Sequence, residues 1–203
     1  MFEVMEQRPD PSRITAQQLG RMRGMTRYYH ERFFSDIRTS TLGSILLFLV
    51  GWWGIGEAFL LIPVVALIGA TMTAFDASYL IFARHYAAKL ERDLNEAMGE
   101  EVLLAARLED SYLFPLNEAK LVTASFSPFS WFSYMTLFFT ALGIITFGFG
   151  LALGLPVLTD HGSTWLAWYL TLLAVMTWSA LFVGWWWFVS GAGEKRLSDI
   201  LEA

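Results

Sequence analysis

Residues 58–98 read AFLLIPVVALIGATMTAFDASYLIFARHYAAKLERDLNEAM, and their character decides the fold. The first part, Ala58 to Ala83, is apolar apart from one formal charge, Asp76. A bilayer's hydrocarbon core takes about 20 residues of helix, so this run is long enough to cross one. The second part, RHYAAKLERDLNEAM, is too polar to stay there, yet the helical pattern enters it unbroken. One helix is therefore expected to cross the membrane and stand out into water. Beyond the apolar run, Leu80, Ala83, Ala87, Leu90, Leu94 and Ala97 keep a three-and-four spacing. That is a coiled-coil-like seam of two to three heptads, too short to dictate an oligomeric state.

Around this stretch the chain divides by polarity. Hydrophobic residues make up 55% of the sequence and charged ones 16%, and the apolar residues fall in blocks, the signature of a membrane protein. Residues 39–84 hold two crossings joined by a few residues, and 131–190 hold two more. Connections that short predict antiparallel hairpins. Before the first hairpin, residues 1–38 form a cytosolic segment; 85–130 form a cytosolic helical insert, and 191–203 a short polar tail. MFEVMEQRPDPSR lacks an apolar core and is not expected to be a cleavable signal peptide. Thr15 and Gln18 have the spacing of a capping box, with Ile14 as its staple, so a helix is expected from there towards Arg38. Leu19, Met22, Tyr29, Phe33 and Ile37 share one side of it, and arginines surround the rest. Such an amphipathic helix suits either a membrane surface or the protein's own cytosolic part. In the insert, Gly99 is expected to end the long helix, and a short helix follows over 100–110. Pro115 and Pro128 bracket an irregular return to the third crossing, 131–155. Pro156 and TDHGS are expected as an outer loop before the fourth, 164–190. The fold class is thus all-α: a four-helix membrane bundle.

Orientation follows from the basic residues. Of the 14 Lys and Arg, those from Arg8 to Arg38 precede the first crossing. Arg84, Lys89, Arg92, Arg107 and Lys120 fall between the second and third, and Lys195 and Arg196 after the fourth. The other two loops have none. The positive-inside rule then makes both termini and the insert cytosolic, in a cytoplasmic (plasma) membrane. Trp52, Trp53, Trp165 and Trp168 mark the outer edge, and Trp131, Trp185, Trp186 and Trp187 the inner one.

Candidates for chemistry are few. An acid within a span costs roughly 2.5–3.5 kcal/mol on insertion scales and usually faces the bundle interior or water. Asp76 therefore invites two readings. In one it is a protonatable or cation-attracting site, with Thr73, Ser44, Thr136 and Thr140 at comparable depth. In the other the long span shifts outward and Asp76 is a structural hydrogen-bonder near the headgroups. His30, His85 and His161 lie outside the spans, which disfavours a bundle haem, and none has the spacing of a helical metal site. Cys is absent, which excludes disulfides, thiol catalysis and thiolate metal sites. No cofactor, metal, nucleic acid or catalytic constellation is indicated. Residues 85–120 carry eight acids against four bases, and residues 11–38 six arginines against two acids. Arg21, Arg23, Arg27 and Arg32 are thus able to dock against Glu91, Glu96, Glu100 and Glu101, although exposed pairs contribute under about 1 kcal/mol each. Gly150 and Gly154 form a GxxxG, expected to let helices approach closely. The leading expectation is a non-enzymatic membrane subunit or scaffold working through its cytosolic helices, in contact with lipid and with a second copy or a protein partner. The alternative is an oligomeric pore or ion/proton pathway using Asp76.

Overall fold

Residues 11–112 and 131–202 are described by the structure, a computed structural model. Their regular elements are all helical: α1 (Pro11–Trp52), α2 (Ala58–Met98), α3 (Ala105–Tyr112), α4 (Trp131–Asp160), α5 (Ser163–Gly184) and α6 (Ala192–Glu202). A π-helical turn, Trp185–Val189, extends α5. Four helices are long and apolar enough to cross a membrane: α1, α2, α4, and α5 with its π turn. Their apolar side chains are largely on the outside, Leu46, Ile144 and Phe182 among them. In water such a surface would be a heavy liability; against lipid it costs nothing.

α1 and α2 form an antiparallel pair, and their register can be followed residue by residue. Gly51 faces Phe59, Gly43 faces Val65, and Gly69 faces Ser40. Further along, Tyr29 stacks on Tyr79 with ring centroids 4.9 Å apart, and the Tyr86 hydroxyl donates to Gln18. The residues with least room are the small ones. A Cβ on Gly69 would lie 2.5 Å from that of Ser40, so only glycine permits this approach. Just before the polar extension a core forms from Phe33, Ala77, Leu80 and Ile81, flanked by Tyr29, Phe34, Ile37 and Phe188. The aromatic side of the N-terminal helix is thus turned onto α2.

α4 leans on the first turns of α2 through glycines. Cβ atoms at Gly150 and Gly154 would meet Ile62 and Leu60 at 2.8 Å, and Gly56 faces Val157. Tyr169 of α5 donates its hydroxyl to the Leu60 carbonyl at 2.8 Å. The α1–α2 and α4–α5 turns accordingly lie at the same end of the molecule.

Several boundaries differ from expectation, each for a local reason. α1 is already helical at Pro11, where a missing N–H is harmless, and the Thr15 hydroxyl bonds back to the Pro11 carbonyl rather than capping forward. α1 then passes Arg38 and Thr39 without interruption, so the division there is one of polarity and not of backbone. Pro156 does not begin a loop. Its ring suits helical φ, and in an apolar setting continuing the helix satisfies the remaining backbone groups, so α4 reaches Asp160. Gly191, at φ 71°, turns the chain after the π turn, and the expected polar tail is a helix, α6. Gly99 ends α2 in the left-handed conformation, as expected. The helix after it starts at Ala105 rather than Glu100, because Asn95 holds the intervening stretch of chain. Asn95 accepts from the Val102 and Leu103 amides and donates to the Leu103 carbonyl. The expected lead before Pro11 and the irregular return with Pro115 and Pro128 lie outside the described residues.

Candidate functional site

Two polar clusters sit along the α1–α2 seam on the side away from the tight turns. The larger joins three helices. Arg23 of α1 pairs with Glu91 of α2 and Glu109 of α3. Arg84 of α2 pairs with Glu109 (Nε to Oε2, 3.3 Å) and with Asp110 (Nη2 to Oδ1, 2.9 Å). Glu91 also accepts from the Ala106 amide at 2.9 Å, which ties the first turn of α3 to α2. Arg84 is 1% exposed, the bulkiest of the fully buried side chains among the described residues. A guanidinium taken out of water to that extent is tolerable only with counter-charges and filled donor positions. Glu109 and Asp110 supply the counter-charge, so the position of α3 follows from the burial of Arg84.

The sequence contained a signal for this cluster that charge counting passes over. Leu80, Arg84, Ala87, Glu91 and Leu94 are spaced four, three, four and three. Arg84 and Glu91 therefore occupy buried seam positions between apolar neighbours, and a charge on a buried stripe needs a partner from elsewhere.

The smaller cluster surrounds Asp76, which is 1% exposed. Arg32 Nε lies 3.5 Å from its Oδ1, and Asp36 lines the same pocket as Asp76 and Arg32. The Oδ2 atoms of Asp36 and Asp76 are both buried and receive no hydrogen bond from an N–H or hydroxyl donor. A pocket of about 210 Å³ opens beside them, lined by Arg32, Asp36, Thr71, Met72, Phe75 and Asp76.

The other residues singled out from sequence are distributed as follows. Thr73 donates to the Gly69 carbonyl and Thr140 to that of Thr136, each within its own helix. Ser44 and Thr136 are buried. Ser44 adjoins Gly43, which faces Val65, about three turns of helix from Asp76. These hydroxyls do not line the Asp76 pocket. Of the docking residues, Arg23 and Glu91 meet. Arg32 turns instead to Asp76, Arg27 pairs with Glu31 on its own helix, and Glu101 with Arg107. Arg21, Glu96 and Glu100 are exposed. Glu109, Asp110, Arg84 and Asp36 are the members that sequence reasoning did not single out. His30 packs edge-on against Phe34; burial holds its pKa below the ordinary histidine value, an effect that neighbouring Glu31 opposes. Among the described residues, no three His, Asp or Glu side chains converge as a metal site would require.

These features define an all-helical protein with four helices fit to cross a membrane and a charged, ion-paired extension at one end. No family model, curated protein or solved structure matches the chain.

Proposed function

We propose that the protein is a multi-pass subunit of the cytoplasmic membrane, its spans arranged as two hairpins with both termini and α3 in the cytosol. It acts without catalysis, as a scaffold that presents α3 to a second copy of itself or to a protein partner. The observation that carries this reading is the buried Arg84, whose partners fasten α3 against α1 and α2. Buried ion networks add little net stability over apolar packing, but they specify where an element sits. Here the specified element turns Leu108 outward, 65% exposed, with Leu104 exposed just before its first turn. A short helix held rigidly, with a leucine on it and another just before it in solvent, suits recognition by an apolar groove.

Depth supports the same arrangement. Asp76 follows Ala58 by 18 residues, about 27 Å of helix, against a hydrocarbon core of about 30 Å. If the crossing starts at Ala58, Asp76 lies just inside the inner boundary, and Arg84, about 39 Å along the helix, lies beyond it with its ion-pair network. The basic residues and the exposed tryptophans near the turns agree with that placement. Thr73 and Thr140 spend their hydroxyls on their own helices, which favours packing over a water-filled route.

The test is photocrosslinking in cells from a probe at Leu108, with a probe at outward-facing Ile144 as the control. One discrete protein adduct from Leu108, lost in Arg84→Met, is the expected result. Absence of an adduct, together with ion flux in liposomes that Asp76→Asn abolishes, would overturn the scaffold in favour of an ion or proton pathway.

A further inference from the structure

Every carboxylate of the Arg23–Arg84 network is paired with a guanidinium; in the cluster around Asp76, one oxygen of each carboxylate meets no protein donor. With both carboxylates ionised, Asp36 and Asp76 would set two like charges at one pocket and leave two buried oxygens with no protein donor. Arg32 offsets one charge, and the cluster would retain −1. Carboxylates in contact do not both ionise readily; one proton between them is the usual resolution.

We propose that the Asp36 and Asp76 carboxyls share a single bound proton at the pocket they both line, with Arg32 as counter-charge on Asp76 Oδ1, forming a proton-binding site on the α1–α2 seam. The proton comes from water, adds to one carboxylate oxygen and breaks no other bond in the protein. It gives two acceptors that lack a protein donor one O–H···O hydrogen bond and takes the cluster from −1 to neutral. The pocket supplies access: its volume of about 210 Å³ is room for ~7 waters at bulk density.

A proton fits these groups better than a metal cation does. Calcium takes six to eight oxygen ligands, and magnesium a near-ideal octahedron. The pocket offers two carboxylates already facing a guanidinium, and Thr71, whose hydroxyl is donated to the Leu67 carbonyl. The charged groups that act on Asp76 from the packed elements, among the described residues, are Arg32 and Asp36 of α1. On α2 itself the next basic group, Arg84, is engaged with Glu109 and Asp110. The proton site is independent of the scaffold, since it involves the α1–α2 pair alone.

The experiment is infrared spectroscopy of the full chain in lipid nanodiscs titrated from pH 8 to pH 5, reading the carbonyl stretch of a protonated carboxylic acid. The wild type is expected to show this band, shifted in D₂O and insensitive to added sodium or potassium. Either Asp36→Asn or Asp76→Asn should remove it, because the amide donates to the remaining carboxylate and no proton is needed. Asp160→Asn, at an exposed helix end, should leave it intact. Two results overturn the proposal: a wild-type band absent or unchanged in both variants, or one that vanishes when sodium is added at constant pH. Should Asp76→Asn not fold, Asp36→Asn, at a half-buried position, decides between the same outcomes.

Discussion

Arg84 shows how one side chain organises its surroundings. Its guanidinium is wholly inside, whereas Glu109 and Asp110 are 25% and 39% exposed at the side chain. The two ways of breaking the cluster are therefore unequal. Glu109→Gln with Asp110→Asn strands a buried cation, a loss of about 3–5 kcal/mol by analogy with other buried pairs. Arg84→Met keeps much of the volume and leaves two acids that water can reach, so its cost is expected to be smaller, about 1–2 kcal/mol. Thermal unfolding of the two variants in detergent checks the order. A double acid variant as stable as Arg84→Met would mean that the guanidinium finds other partners. Arg84→Lys is not a mild change, since an ammonium cannot reach two carboxylates with a planar fork. The same residue shows where sequence reading stops short. Its place on the three-and-four seam is visible, but its partners lie 25 and 26 positions away, and spacing does not reveal where a later helix folds back.

Helices pack here by the absence of side chains. Gly150 and Gly154 bring α4 onto Ile62, Pro63 and Leu60, and Gly69 lets α1 close on α2 at Ser40. Gly150→Val is expected to push α4 away and destabilise the bundle by about 1–3 kcal/mol, as overpacking does. Gly143→Val, where an added Cβ meets nothing within 4 Å, should be close to neutral. Melting temperatures of the pair test this; equal effects would show that the α2–α4 contact is not the one that matters. The four long apolar helices were legible because hydropathy and length alone announce them. Their ends were not. Pro156 and the expected cap at Thr15 are local signals that a continuing apolar or helical context overrode. Asn95 delays α3 through bonds to residues seven and eight positions on, which no capping rule anticipates. The Asp76 cluster was half legible. The acid stood out within its apolar run, but Asp36 looked like one more charge among arginines until the packing of α1 against α2 brought it to the same pocket as Asp76.

At the scale of the whole molecule, two tight turns lie at one end and the ion-paired helices α1–α3 at the other. Tyr169 and the glycines of α4 join the turns, and Phe188 reaches the Phe33 core at the opposite end. That polarity is what the positive-inside rule needs, and it is why a scaffold facing one compartment is proposed rather than a symmetrical pore. The chain has no cysteine, so single cysteines can be introduced without background. The most direct measurement is labelling of intact cells with a membrane-impermeant maleimide. Trp53→Cys and His161→Cys are expected to react from outside, and Glu100→Cys and Ser198→Cys only after permeabilisation. Labelling of Glu100→Cys in intact cells would put α3 and its ion pairs on the wrong side of the membrane and contradict the proposed topology.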